Sequence, residues 1–229
     1  MATHHERLKS ELGQIRYPAS IIACPGPYCA IQGQSFFPGG KGNPGGNIPV
    51  GGVMYLGHNF DKVGGFNRSV ERGHEENLTW RVIRTAVLPV LAERHIWFTN
   101  YFMGVVEGPS NMGPLDQSAD GFADYEADCW EFFKVQLALQ RPRIVVALGK
   151  EVVRLLGKSN RLDIPSWMLG PSQAFGPLRR IEHRVQLPLV DGIHETLFVA
   201  AYHPSFGRSA AQLLEVKADS EFVASLMGE

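Results

Sequence analysis

Arg141-Pro142-Arg143-Ile144-Val145-Val146-Ala147-Leu148-Gly149 is the stretch that decides the fold. Ile144 to Leu148 is an unbroken apolar run of strand length, entered through a proline and closed by a glycine, and it reads as the strongest strand in the chain. Glu151 to Leu156 then starts a helix, and Tyr125 to Leu139 is the helix that feeds the strand from upstream. Moving further toward the N-terminus, His95 to Thr99 predicts a strand ending at Asn100, and Asn77 is set to cap a helix with Leu78, Ile83, Val87 and Val90 on its apolar face. Val53 to Leu56 predicts a buried strand closed by Gly57. On the C-terminal side, Leu197 to Ala201 is the last expected strand, and Gln212 to Leu226 the closing helix. Strands alternating with helices predict a three-layer α/β/α fold around a central, mainly parallel four-stranded sheet. In such folds ligands bind at the carboxyl ends of the strands.

The chain of 229 residues is expected to form a single domain over residues 1–229. Residues 1–52 supply an N-terminal helix and a Gly/Pro-rich loop. Leu8, Leu12 and Ile15 stand at helical spacing and Pro18 is the expected stop, while Cys24 to Gly52 has no apolar period. No apolar run is long enough for a membrane span or a secretion signal, so a soluble, cytoplasmic protein is expected, with monomer as the default state. The 22 Lys and Arg against 23 Asp and Glu give a net charge of -1, which is not the balance of a dedicated nucleic-acid binder. Basic residues nevertheless cluster, at Arg141 with Arg143 and at Arg179, Arg180 and Arg184, and could form a local positive face. The glycines between Gly39 and Gly52 lack the Gly-Lys-Ser/Thr ending of a phosphate loop, and no Gly-x-Ser-x-Gly nucleophile elbow is present.

Three predicted strands end in side chains suited to reading a small polar ring: Gly57-His58-Asn59-Phe60-Asp61, Thr99-Asn100 and His203-Pro204-Ser205. Their order, spacing and strand context resemble the uracil-DNA glycosylase superfamily. Leu56-Gly57-His58-Asn59-Phe60 is similar to the family's strand followed by Gly-x-(Asp or Asn)-Pro, with Phe60 in place of the proline. Trp97-Phe98-Thr99-Asn100 matches the strand whose terminal Asn reads the uracil edge, and the His-Pro-Ser motif is intact at His203, Pro204 and Ser205. Arg141 to Gly149 resembles a signature of the iron-sulfur glycosylases, and Asn77-Leu78-Thr79-Trp80-Arg81-Val82-Ile83 is similar to a helix of the mismatch-specific family. The resemblance covers roughly residues 50 to 215.

The resemblance implies a monofunctional hydrolase that cleaves the N-glycosidic bond of uracil in DNA and leaves an abasic site, the first step of base excision repair. That reaction passes through an oxocarbenium-like sugar, so the departing uracil anion must be stabilised and a water positioned on the opposite face. Asn100 can donate to O4 and accept from N3–H, a combination that fits uracil and opposes cytosine. His203 would donate to uracil O2 as charge develops there. The water falls to Asn59 or to Asp61; an amide can orient water but cannot take its proton, whereas the carboxylate could act as base or stabilise the sugar cation. Gly57 and His58 belong to the same base-binding motif, and Phe66 or Phe60 would stack on the flipped base. Ser205, Phe206 and Arg208 would contact DNA, Phe206 as a wedge. The alternative is a catalytically weak relative that binds uracil-DNA or abasic sites.

The partner in either case is uracil-containing DNA, with no resident metal. The iron-sulfur relatives hold a cluster on four cysteines. This chain offers three, Cys24, Cys29 and Cys129, with Gly104 at the remaining position and a looser N-terminal spacing. The expectation is a cluster-free protein with Cys129 as a buried helix residue; the alternative is a cluster on those three cysteines and another ligand.

Overall fold

The computed structural model describes residues 3–23, 50–59, 63–64, 78–91, 96–106, 115, 118–158, 162, 164, 167, 174–189 and 192–228. In chain order the elements are helix α1 (His4–Leu12), strand β1 (Ile21–Ala23), strand β2 (Val53–Gly57), helix α2 (Leu78–Val82), strands β3 (Ile96–Asn100) and β4 (Gly104–Val106), helix α3 (Phe122–Gln140), strand β5 (Ile144–Leu148), helix α4 (Lys150–Gly157), strands β6 (Glu182–Leu189) and β7 (Gly192–Ala201), and helix α5 (Ala210–Met227). They fall into two compact units, one drawn from Met1–Ile48, His58–Glu75 and Phe98–Gln140, the other from Pro49–Gly57, Glu76–Trp97 and Arg141–Glu229.

Most of the α/β architecture belongs to the second unit: a mainly parallel mixed sheet flanked by helices, in the strand order β3-β2-β5-β7-β6. Val53 lies opposite Ile144 and Leu56 opposite Ala147 in one parallel ladder; Ile144 lies opposite Leu197 and Leu148 opposite Ala201 in the next. Every residue of β5 is buried, which is why its sequence is apolar without alternation. The sheet has five strands rather than the expected four, because β6 pairs antiparallel with β7 in a long hairpin. Its inward residues are Val185 and Leu187, while Arg184 and Gln186 on the outer face both reach Glu195 of β7, at 2.8 and 2.7 Å.

Helix α2 passes directly into a π-helical turn over Ile83–Val87, where the Leu88 N–H reaches the Ile83 carbonyl at 2.9 Å. Thr85 helps to make this register tolerable, since its hydroxyl donates back to the Arg81 carbonyl at 3.0 Å. The wider turn keeps Val82, Ile83, Ala86 and Val87 on one buried face. Asn77, the expected cap, lies outside the described residues. Helix α5 opens with a capping box in which Ser209 and Gln212 serve each other's backbone N–H groups, an arrangement worth about 1 kcal/mol.

In the first unit α1 has its own capping box, Thr3 with Glu6, and ends at Gly13 rather than running to Pro18. The segment beyond it is instead clamped to α3: the Arg16 guanidinium forks onto Asp128, with Nε and Nη2 each 2.8 Å from a carboxylate oxygen. The Pro18 carbonyl then accepts the Ile21 N–H, starting β1, which pairs antiparallel with β4. Neither of these short strands is expected from the sequence. Their pairing needs Gly104, because a Cβ there would collide with the Ile21 side chain and stand 3.0 Å from the Tyr125 hydroxyl. Tyr101, Phe102, Phe122, Tyr125 and Phe133 form a buried aromatic cluster beside it. Each such ring contributes about 1.5–3 kcal/mol by burial. Among the described residues no helix is long and apolar enough to cross a membrane.

Candidate functional site

The expected site residues fall in both units. In the first, the chain leaving β2 is pinned to the chain leaving β3, because the Phe102 N–H donates to the His58 carbonyl at 2.9 Å. The His58 ring stands edge-on to Phe102, at 5.3 Å and 82°. Its Nδ1 lies 3.0 Å from Asn59 Oδ1. An amide oxygen can only accept, so in this orientation Nδ1 carries the proton and His58 fixes the amide plane of Asn59. Asn100 is half-buried at the end of β3, with Thr99 buried before it. The backbone bond through Phe102 thus brings together the segments bearing Asn59 and Asn100.

In the second unit β5 and β7 end side by side, the Gly149 N–H donating to the Ala201 carbonyl at 2.8 Å. Gly149 has φ 84° and ψ 167°, a combination essentially confined to glycine. A Cβ at Gly149 would stand 3.1 Å from the His203 Cβ, so the absent side chain is the space in which His203 sits. Pro204–Phe206 forms a single 3-10 turn capped by the His203 ring itself. The Ser205 N–H donates to His203 Nδ1 at 3.2 Å and the Ser205 hydroxyl lies 2.8 Å from the same nitrogen. A backbone N–H cannot accept, so Nδ1 is the acceptor and the neutral ring carries its proton on Nε2. The following residues bind the turn to α5: Arg208 donates Nε to the Ser205 carbonyl at 3.3 Å and its backbone N–H to Gln212 at 3.2 Å. A Cβ at Gly207 would stand 3.1 and 3.2 Å from the two methyls of Val82, which would have to give by a few tenths of an ångström.

Behind His203 lies a group of residues that the sequence does not advertise as a unit. Asp219, buried on α5, accepts from Arg179 Nη2 at 2.6 Å, Arg180 Nε at 2.7 Å and the Tyr202 backbone N–H at 2.8 Å. The same Arg179 Nη2 also donates to Glu215 at 2.8 Å. Burial alone would lower the Arg179 pKa, but these two carboxylates outweigh it and the net shift is upward. The bond to Arg179 holds the Glu215 carboxyl below its ordinary range. Arg179 also lies over the Tyr202 ring, its Cζ 3.7 Å from the centroid, and Phe206 stacks on Tyr202 at 4.0 Å and 19°. Two flat groups this close to one ring centre cannot share a face, so Tyr202 is sandwiched between them. A small crevice nearby, lined by Tyr55, Leu148, Ala201, Tyr202, Asp219 and Ser220, has room for a water and not for a pyrimidine ring.

Arg179, Arg180 and Arg184, expected to offer a positive face, are therefore turned onto Asp219, Glu215 and Glu195. Phe60, Asp61 and Phe66 lie outside the described residues, as do Cys24 and Cys29. Cys129 is buried on α3 with its thiol pushed up to about 12 by burial, against the opposing pull of the Met103 backbone and the Tyr125 hydroxyl. A cluster ligand must be a thiolate, a form that burial of Cys129 disfavours unless a bound ion draws off its proton. The unsubstituted Gly104 also leaves no space for a fourth cysteine. Among the described residues no group of three or more His, Cys, Asp or Glu could hold a metal. No known family model matches the chain, and no curated protein matches it.

Proposed function

We propose that this protein is a DNA glycosylase that hydrolyses the N-glycosidic bond of uracil in DNA and leaves an abasic site for base excision repair. The observation that carries the reading is the Ser205 N–H donated to His203 Nδ1 at 3.2 Å. It makes Nε2 the donor of a neutral, preorganised ring, which is what a uracil O2 gaining negative charge needs. Asn100 reads the N3–H and O4 edge, and Asn59, held by His58, orients the attacking water, with Asp61 the carboxylate alternative. Ser205 in the turn capped by His203 and Arg208 just after it meet the DNA backbone, with Phe206 packed on Tyr202 beside them.

One observation favours the second reading, a protein that binds uracil-DNA or abasic sites with little turnover. Asn59 Oδ1 already accepts from His58 at 3.0 Å, and an amide cannot remove the proton of an attacking water. A labelled oligonucleotide with one uracil, incubated with the protein and then treated with alkali, tests both. Strand cleavage that disappears in His203→Ala is expected. A retarded complex without cleavage would establish the binding module instead, and neither cleavage nor retardation would refute both readings.

A further inference from the structure

We infer that Asp219 and Tyr202 are positioning residues that hold the His203 ring in place from behind, one through the backbone and the other through a stacked ring. Two independent contacts converge on the residue preceding His203. Asp219 fixes the Tyr202 backbone N–H at 2.8 Å, immediately after β7 has ended and the sheet ladder can no longer hold the chain. The Tyr202 ring is gripped on one face by Arg179 and on the other by Phe206, and Phe206 closes the turn that begins at His203 by donating its N–H to the His203 carbonyl at 2.8 Å. His203 is thus bracketed in sequence by two residues stacked on each other in space.

Among the described residues Asp219 is the one buried carboxylate, and its neighbours account for that burial. It lies against two guanidinium groups and a backbone donor, so its charge is matched and its lone pairs are used. The arginines in turn are fixed by Asp219 and Glu215. Arg179 therefore acts as a rigid plate under Tyr202 rather than as a mobile surface cation. A carboxylate on α5 could have paired with one arginine for stability alone; the bond to the Tyr202 N–H and the aligned stack direct the same group at the His203 turn.

The reaction served is the one proposed above and depends on that reading, whereas the hold on His203 can be observed without any reaction. The variants are Asp219→Asn, Tyr202→Ala and Tyr202→Phe in the full chain. Long-range 15N–1H spectra of the imidazoles, assigned by the loss of signals in His203→Ala, report which His203 nitrogen carries the proton. Single-turnover rates on a uracil oligonucleotide are measured as a function of protein concentration. Tyr202→Phe should keep the Nε2–H pattern and the rate. Tyr202→Ala and Asp219→Asn should average the two tautomers and lower the maximal rate about tenfold, with the half-saturating concentration within about twofold, as expected for a displacement of well under 1 Å. Tyr202→Ala carries the test should Asp219→Asn fail to fold. An unchanged tautomer pattern in Tyr202→Ala overturns the inference, whatever the rate does. A lost pattern in a protein with no uracil release supports the positioning role and sinks the glycosylase reading separately.

Discussion

Gly149→Ala is a single methyl that tests both the backbone and the candidate site. At φ 84° and ψ 167° an L-residue carries a conformational penalty of about 1–3 kcal/mol. The new Cβ would also stand 3.1 Å from the His203 Cβ, so His203 must retreat by a few tenths of an ångström. The expected loss of stability is about 2 kcal/mol, and at about 2–4 °C per kcal/mol for a chain of this size the melting temperature should fall by about 4–8 °C. Gly121→Ala is the control, because Gly121 has φ 80° with nothing within 4 Å of its Cβ and should show the backbone cost alone, about 1–2 kcal/mol. A 1 Å misplacement near reacting atoms can cost about a hundredfold, so the smaller shift of His203 should slow uracil release several-fold in Gly149→Ala and leave Gly121→Ala at the parental rate. Thermal melting and single-turnover release read the two effects. A Gly149→Ala protein with unaltered melting would refute the conformational argument. Normal release from a destabilised one would mean that His203 does not act on the base.

Two further outcomes concern the first unit. Gly104→Cys should destabilise by about 1–3 kcal/mol, since the added Cβ must displace Ile21 and crowd Tyr125, and it should acquire no visible sulfur-to-iron absorbance; a folded protein that becomes brown when supplied with iron and sulfide would overturn the account of Cys129. Burial raises the Cys129 thiol to about 12, above its unfolded value of about 8.5. The stabilisation is therefore complete below about pH 8.5 and lost as pH climbs toward 12, with a slope of at most about 1.4 kcal/mol per pH unit. Urea midpoints between about pH 8 and 10 should fall for the parent and less steeply for Cys129→Ala, and parallel slopes would show that the thiol is not the cause.

What could be read from the sequence follows from how much each element depends on distant partners. β5 could be read to the residue because burial on both faces leaves an unbroken apolar signal. β6 could not, since one face is solvated and its buried residues are only Val185 and Leu187, interleaved with the polar Arg184 and Gln186 and next to Pro188. β1 and β4 are three residues each and exist through their pairing, which no local pattern announces. The His203-Pro204-Ser205 turn was legible because the whole device is local: the ring caps the turn that follows it. Its support was not, because Asp219 lies 17 residues from Tyr202, on a helix where an Asp reads as one more solvated position.

Arginine clustering shows the same limit and changes how DNA contact should be sought. Arg179, Arg180 and Arg184 look like a positive face only while the chain is read as a line. Folded, the first two converge on a buried carboxylate and the third crosses a strand to Glu195. Charges already matched release few counterions when a phosphate approaches, so neutralising Arg184 or Arg180 should leave the salt dependence of DNA affinity nearly unchanged. Arg208 differs: it is exposed and joined by Nε to the carbonyl of Ser205, beside the turn that carries His203. A cation that contributes to DNA binding belongs where the chemistry is, and Arg208→Ala, not the loss of the denser cluster, is the substitution that should flatten the salt slope by about one unit.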